Sequence, residues 1–134
     1  MNFTSQICTT HEQSERLLAL GLKKETADMY YFWVGGNEYF LKVDVDNNPL
    51  KYNMDKTYIP AWSLHRLMEM IPSFIDIGEH TYMFRMIQGR LFSYRSDIAG
   101  DALLYSMGGV YNSAIYTIEW LIGEGCFNKE YLEK

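Results

Sequence analysis

Apolar positions in the middle of the chain repeat with the spacing of an α-helix. Ser63 begins this stretch, and its hydroxyl can accept a hydrogen bond from an amide of the first turn. Pro72 follows it, and proline has no amide to donate. The apolar residues between them stand at i, i+3, i+4 and i+7, on one helical face: Leu64, Leu67, Met68 and Ile71. We expect the fold to be organised around a helix at Ser63–Ile71, with Trp62 as a packing anchor ahead of it.

Two further helices are predicted, one on each side of this central helix. The first opens at Thr10, which fits a capping box with Gln13, and Gly21 is expected to end it in a left-handed conformation. The last helix runs from about Gly109 to Ile122 and ends at one of the glycines that follow. Its apolar face consists of Ala114, Ile115, Ile118, Leu121 and Ile122.

Alternation of apolar and polar positions, together with aromatic content, predicts two β-hairpins. The first consists of residues 28–34 and 38–45, and the second of residues 80–87 and 90–95. Residues 50–54 can add a short edge strand. Short links make neighbouring strands antiparallel. The predicted fold class is α+β, with an antiparallel sheet of four or five strands and about three helices on one face.

The segments between these elements are less regular. Residues 73–78 are expected to form a loop, and residues 102–105 fit either a strand or a helix. A chain of 134 residues has the length of one ordinary domain. We therefore expect a single domain over 1–134, with an ordered core at about 7–126 and a charged C-terminal tail at 127–134.

Composition and charge narrow the classes of partner. The net charge is -5 and no basic run is present, which makes nucleic acid and anionic membrane surfaces poor candidates. No apolar run approaches the ~20 residues of a membrane span. The first residues lack the basic cluster and apolar core of a signal peptide. The expected location is cytoplasmic, where Cys8 and Cys126 would be reduced thiols, although a disulfide between them stays open.

The pattern that best resembles a metal site is a partial calcium loop. Asp44, Asp46 and Asn48 stand at its first, third and fifth positions, and Asp55 stands at the twelfth. Pro49 occupies the sixth position, where the loop needs the sharp turn of a glycine. The stretch is therefore interpreted as a simple turn, and no metal site is predicted.

No other pattern in the chain predicts chemistry. The three histidines, His11, His65 and His80, do not stand at helical spacing from one another, and the sequence shows no converging set of several ligands such as zinc requires. The chain contains no nucleophile elbow and no phosphate-binding loop. We therefore name no catalytic residue, no cofactor and no metal ligand.

Aromatic residues of the hairpins form the candidate interaction surface. With a composition of 16% aromatic residues, such a surface suits protein–protein contact. Its candidate residues are Tyr30, Trp33, Tyr39, Tyr82 and Tyr94. An alternative interpretation is that a sheet face with Tyr82, Phe84, Phe92 and Tyr94 stacks nucleobases, helped by Arg85, Arg90 and Arg95. The negative net charge disfavours that alternative.

Four blocks of sequence carry a resemblance to a known group of proteins. They are Thr10-His-Glu-Gln-Ser-Glu-Arg-Leu-Leu-Ala-Leu-Gly-Leu22, Glu25-Thr-Ala-Asp-Met29, Ile59-Pro-Ala-Trp-Ser-Leu-His-Arg-Leu-Met-Glu-Met-Ile-Pro72 and Glu119-Trp-Leu-Ile-Gly-Glu-Gly125. In this order they resemble small uncharacterised proteins of prophages and other mobile elements in gut anaerobic bacteria. The resemblance implies a bacterial or phage cytoplasmic origin. It implies no activity and no catalytic residue.

The favoured function is therefore a non-catalytic protein–protein interaction module that binds another protein or itself. The first alternative is a small-ligand or nucleotide-binding domain with a pocket between the central helix and the sheet. The second alternative is a small hydrolase without a recognisable motif.

Overall fold

The computed structural model shows an α+β fold with antiparallel strands, which confirms the predicted class. It describes residues 5–35, 38–43, 58–87, 91–96 and 102–133. The chain divides into two compact units. The first comprises residues 1–66 and 130–134, and the second comprises residues 67–129. The single-domain expectation stays a prediction.

The described residues of the first unit include an α-helix, a three-stranded sheet and a 3-10 turn, and most of a second 3-10 turn at Lys129–Tyr131. Along the chain these are α1 (His11–Ala19), the first 3-10 turn (Lys24–Thr26), β1 (Met29–Gly35), β2 (Glu38–Val43) and β3 (Tyr58–Ala61). Strand β1 lies between β2 and β3 and pairs antiparallel with both. Pro60 lies in β3, at the edge of the sheet, where a missing amide costs no internal ladder bond. Helix α1 packs against β3.

Helix α1 has the ends that its sequence predicts. The Thr10 hydroxyl accepts from the Gln13 amide at 3.2 Å, and the Gln13 side chain accepts from the Thr10 amide at 3.0 Å. At the other end Gly21 has a φ of 100°, in the left-handed region that favours glycine. The Leu22 amide then donates back to the Leu17 carbonyl at 3.2 Å, and both leucine side chains are buried. This pairing closes the helix with an apolar contact.

Trp62 is fully buried in the first unit, as expected of a packing anchor. Its indole N–H donates to the Thr26 hydroxyl at 2.9 Å, and its backbone amide donates to the Thr9 hydroxyl at 3.0 Å. Thr26 in turn donates to the Lys23 carbonyl at 2.7 Å. The side chain therefore links the 3-10 turn to the end of β3 through satisfied buried polar groups, which an indole requires when it is buried.

The predicted central helix is present as α2 (Leu64–Met70), with Ser63 as its N-cap. The Ser63 hydroxyl accepts from the Arg66 amide at 3.1 Å. The Asp28 carboxylate accepts from the Ser63 amide at 2.8 Å and also from the Ser63 hydroxyl. Leu67 and Met70 are buried. The boundary between the two units falls inside this helix, after Arg66.

The second unit contains a four-stranded sheet and the longest described helix. Its elements are β4 (Phe74–Ile77), β5 (His80–Ile87), β6 (Leu91–Ser96), β7 (Ala102–Met107) and α3 (Val110–Glu124). The strands are antiparallel in the order β4-β5-β6-β7. Helix α3 packs against β6 and β7, and Gly125, with a φ of 73°, ends it. Four residues of its predicted apolar face are fully buried: Ala114, Ile115, Ile118 and Leu121.

The secondary structure differs from the predictions in three places. Residues 73–78 contain strand β4 instead of a loop, and residues 58–61 form strand β3, which the sequence did not predict. Residues 102–105, which fitted either a strand or a helix, belong to strand β7. The strands form two sheets, one of three and one of four, instead of the single sheet that two hairpins suggested. The added strands β3 and β4 give each hairpin a further neighbour of its own. The predicted turn at 46–49, the edge strand at 50–54 and the calcium-like stretch lie outside the described residues.

The described part of the C-terminal segment pairs with the chain just past the end of α1. In the first unit Leu132 forms an isolated antiparallel bridge with Leu22. The Lys23 amide donates to the Tyr131 carbonyl at 2.8 Å, and the Glu133 amide donates to the Gly21 carbonyl at 2.7 Å. This pairing orders the segment, because its backbone groups find partners just past the end of α1.

Candidate interaction surface

Of the five predicted surface aromatics, three belong to the first unit and two to the second. Tyr30 is half-buried in the first unit, where its ring lies 5.8 Å from that of Tyr58 in an edge-to-face arrangement. The side chains of Trp33 and Tyr39 lie outside the description, although their backbones are paired across β1 and β2. Tyr82 and Tyr94 belong to the second unit, and both are buried. These two tyrosines are core residues and not part of an exposed surface.

Tyr94 is held in the core by both ends of its side chain. The ring stacks on Trp120 of α3, with centroids 5.8 Å apart, and the hydroxyl donates to the Pro72 carbonyl at 2.5 Å. Burial and then the nearby Cys126 raise the pKa of the Tyr94 hydroxyl above its usual value. The phenol therefore acts as a neutral donor, which suits a buried structural role.

The register of the second sheet separates its aromatic residues from its arginines. Phe84 pairs with Tyr94, and Phe92 follows on the same face, so these rings lie toward α3 and Trp120. Arg85 and Arg95 alternate with them and therefore point to the opposite face. The nucleobase-stacking alternative needs rings and arginines on one open face, and this register does not provide that.

The face of the second sheet that points away from α3 carries large exposed apolar side chains. Phe74 of β4 is 62% exposed, Ile87 of β5 is 51% exposed and Leu103 of β7 is 39% exposed. We call this side of β4–β7 the open face. Isolated exposed apolar residues are common, but a set on one sheet face indicates a contact surface.

Polar side chains occupy the centre of the open face. Ser93 of β6 lies directly across from Arg85 of β5, and Arg95 follows Ser93 on the same side of β6. Ser93 is only 1% exposed, and among the residues that the structure describes its buried hydroxyl has no hydrogen-bond partner. Such an orphan is rare, because an unpaired buried polar group costs about 1–3 kcal/mol.

The charges of the open face oppose those of the whole chain. Within the described residues neither Arg85 nor Arg95 forms an ion pair. Among the described strand residues, the carboxylate on this face is Asp76 of β4, which accepts from the Thr81 hydroxyl at 2.6 Å near the end of the hairpin. The described side chains at the centre of the open face are therefore positive, in a chain with a net charge of -5.

A second cluster surrounds Tyr31 in the first unit. Its hydroxyl donates to the Thr9 carbonyl at 2.9 Å and lies 3.3 Å from the Cys8 thiol, and its ring lies 4.4 Å from the His11 ring. Burial, the largest effect, raises the pKa of the Cys8 thiol. A buried thiol with a raised pKa is a poor nucleophile. The contacts of Cys8 with Met29 and Ala61 indicate a core residue.

Three further observations describe the remaining candidate chemistry. Both cysteines are free thiols, and burial also raises the pKa of Cys126. Across the described ranges, no three His, Cys, Asp or Glu side chains are grouped so that they could hold a metal ion. Among the described helices, including α3, none combines the length and the apolar character that crossing a bilayer requires.

Comparisons with known proteins add no family to this picture. No family model, no curated protein and no solved structure matches the chain. The resemblance to small prophage proteins therefore stays a prediction.

The open face was only partly visible in the sequence. Arg85 and Arg95 were identified as a local source of charge, but Phe74 was assigned to a loop, and Ser93, Ile87 and Leu103 carried no signal of their own. Alternation along β5 and β6 would have placed Arg85, Ser93 and Arg95 on one face. The missing information was which face α3 covers.

Proposed function

We propose that this protein is a non-catalytic protein–protein interaction module and that the open face of β4–β7 is its contact surface. The observation that carries the proposal is the exposure of Phe74, Ile87 and Leu103 on one sheet face whose opposite side is covered by α3. A cytoplasmic location belongs to the same proposal.

The composition of the open face supports an interface. Protein interfaces combine apolar anchors with arginine, and their charged groups surround or pair across the buried centre. The open face has this combination, with apolar residues on three of its strands and Arg85 and Arg95 between them. A sheet surface of this kind suits a partner that lays a helix or a loop across the strands.

The proposal is tested by a charge placed on the open face. Purified wild type and Ile87→Glu are immobilised and exposed to a lysate of the natural host, and retained proteins are quantified by mass spectrometry. We expect Ile87→Glu to lose at least ninety per cent of a specific partner, roughly a tenfold reduction, because a charge must then be buried on binding. Light scattering on both proteins tests self-association through the same residue.

Tyr116→Glu is the matched control. Tyr116 is also a large exposed side chain, at 45%, but it lies on α3 and not on the open face. It should retain the same proteins as wild type, and circular dichroism should show all three chains folded. Equal retention by Ile87→Glu and wild type, or loss in both variants alike, would contradict the proposed surface.

A further inference from the structure

We propose that Arg85, Ser93 and Arg95 form a carboxylate-binding site at the centre of the open face, which takes an acidic side chain of a protein partner. The inference rests on the proposed function and names the chemistry by which that surface selects its partner.

The sheet register brings the three side chains side by side. Arg85 and Ser93 are direct cross-strand partners on β5 and β6, and Arg95 is the next residue of β6 on the same face. Directly opposed side chains in an antiparallel pair have Cβ atoms about 4.5–5.5 Å apart. Two guanidinium groups on long stems can therefore converge above the serine, in the fork geometry that recognises a carboxylate.

The Ser93 hydroxyl is the second, independent sign of a ligand. It is a donor buried on a face whose described side chains are otherwise mostly exposed, and it has no hydrogen-bond partner within the described ranges. A carboxylate oxygen that enters between the two arginines can accept from this hydroxyl. Binding would then satisfy a group that the free protein leaves unpaired, and hydrogen bonds to charged groups are among the stronger ones.

Charge selects a protein carboxylate over the other possible occupants. A second copy meeting the same face would place Arg85 and Arg95 against arginines of the same kind, and like charges in an interface disfavour that pairing. The net charge of -5 repels a phosphate backbone beyond the local positive site. Phe74, Ile87 and Leu103 provide apolar contacts to a peptide, which a free anion would not use.

The test uses the full chain and a pair of synthetic peptides. One peptide alternates Glu with Leu, and the other replaces each Glu by Gln, so the two differ only in charge. Affinities are measured by fluorescence anisotropy, and the arginine Nε–H signals are followed by NMR. We expect the Glu peptide to bind at least about tenfold more tightly than the Gln peptide and to shift the signals of Arg85 and Arg95.

Variants assign the binding to the three residues. Arg85→Gln and Arg95→Gln should each weaken the Glu peptide about tenfold, whereas Arg16→Gln, on the exposed side of α1, should leave the affinity unchanged. Ser93→Ala should also weaken binding about tenfold, but its melting temperature should equal or exceed that of wild type, because the unpaired hydroxyl is removed. A purely structural serine would not combine these two effects.

Several results would overturn the site. They are equal affinity for the two peptides, no binding of the Glu peptide, unchanged affinity in Ser93→Ala, and inorganic phosphate competing as strongly as the peptide, which would indicate a free-anion site.

The host-lysate experiment separates the two proposals. If Ile87→Glu loses the retained partner but Arg85→Gln and Arg95→Gln keep it, the interaction surface stands and the carboxylate site fails. If Ile87→Glu keeps the partner, the proposed function itself fails.

Discussion

The two faces of the β4–β7 sheet are built from alternate residues of the same strands, but they have opposite environments. The covered face is the side of β4–β7 that faces α3. On it, Phe92 and Tyr94 are fully buried; Phe92 contacts Phe84, and Tyr94 stacks on Trp120 of α3. On the open face Phe74 and Ile87 are more than half exposed. Both faces are rich in large apolar side chains, so the position of one helix decides which residues become core and which become surface.

This difference shows why residue type alone misjudged the aromatic residues. Tyr94 is of a residue type that is enriched at interfaces, but its hydroxyl donates to the Pro72 carbonyl and its ring stacks on Trp120. Phe74 is a large apolar residue of the kind that usually fills a core, but it lies on the side of the sheet that faces away from α3 and is largely exposed. A large aromatic side chain is therefore part of the core on one face and exposed on the other.

The largest expected effect compares the same substitution on both faces. Phe92→Ala removes a fully buried ring and should lower the free energy of unfolding by about 3–5 kcal/mol. Phe74→Ala removes an exposed ring of the same size and should change it by no more than about 0.5 kcal/mol. Urea denaturation of the two variants and wild type measures both values. Similar losses in the two variants would show that the open face is packed after all.

A somewhat smaller effect is expected outside the sheet, at Leu67 of α2. Leu67 is fully buried, so Leu67→Ala should lower the free energy of unfolding by roughly 2–5 kcal/mol. The exposed neighbour His65, changed to Ala, serves as a control on the same helix and should cost under about 0.5 kcal/mol. Almost no loss in Leu67→Ala would make α2 peripheral, and the covered face alone would then hold the core.

The smallest expected effect concerns the polar end of Tyr94. Tyr94→Phe keeps the stacked ring but leaves the Pro72 carbonyl without its donor, which should cost about 1–2 kcal/mol at neutral pH. Because folding raises the pKa of this phenol above 10.0, its contribution is complete below pH 10 and is lost as the pH rises further.

Urea denaturation across this pH range provides the comparison. Wild type should lose stability above pH 10 more steeply than Tyr94→Phe, since only wild type has a phenol that the folded state keeps protonated. The two cysteines with raised pKa values are present in both proteins and cancel in the difference. Parallel pH profiles would contradict the buried role of this hydroxyl.

Local signals predicted the helices and the second hairpin well. The capping box at Thr10, the left-handed Gly21 and the N-cap at Ser63 were all confirmed, and β5 has the predicted bounds of 80–87. These features depend on a few neighbouring residues, so short stretches of sequence contain the information. Asp28 escaped notice because it caps Ser63 from a distant part of the chain.

The missed elements depend on distant partners. Strand β3 contains Pro60, and β4 has four residues between Pro72 and Gly78, so neither has a strong strand pattern of its own. Each is a strand because a longer strand, β1 or β5, pairs with it. The candidate site was missed for the same reason, since alternation groups Arg85, Ser93 and Arg95 but does not say which face α3 leaves open.

The bridge between Leu22 and Leu132 has a consequence for the order in which the two units fold during synthesis. Leu132 lies near the far end of the sequence from Leu22. During translation, the bridge at the end of α1 therefore cannot form until Leu132 has been synthesised, long after α1 itself. The second unit consists of the continuous stretch 67–129, so its contacts do not depend on residues synthesised after it. Contacts between distant residues close slowly because of the entropy of the intervening loop. A nascent chain arrested before Leu132 should therefore leave α1 more accessible to protease than the finished protein does.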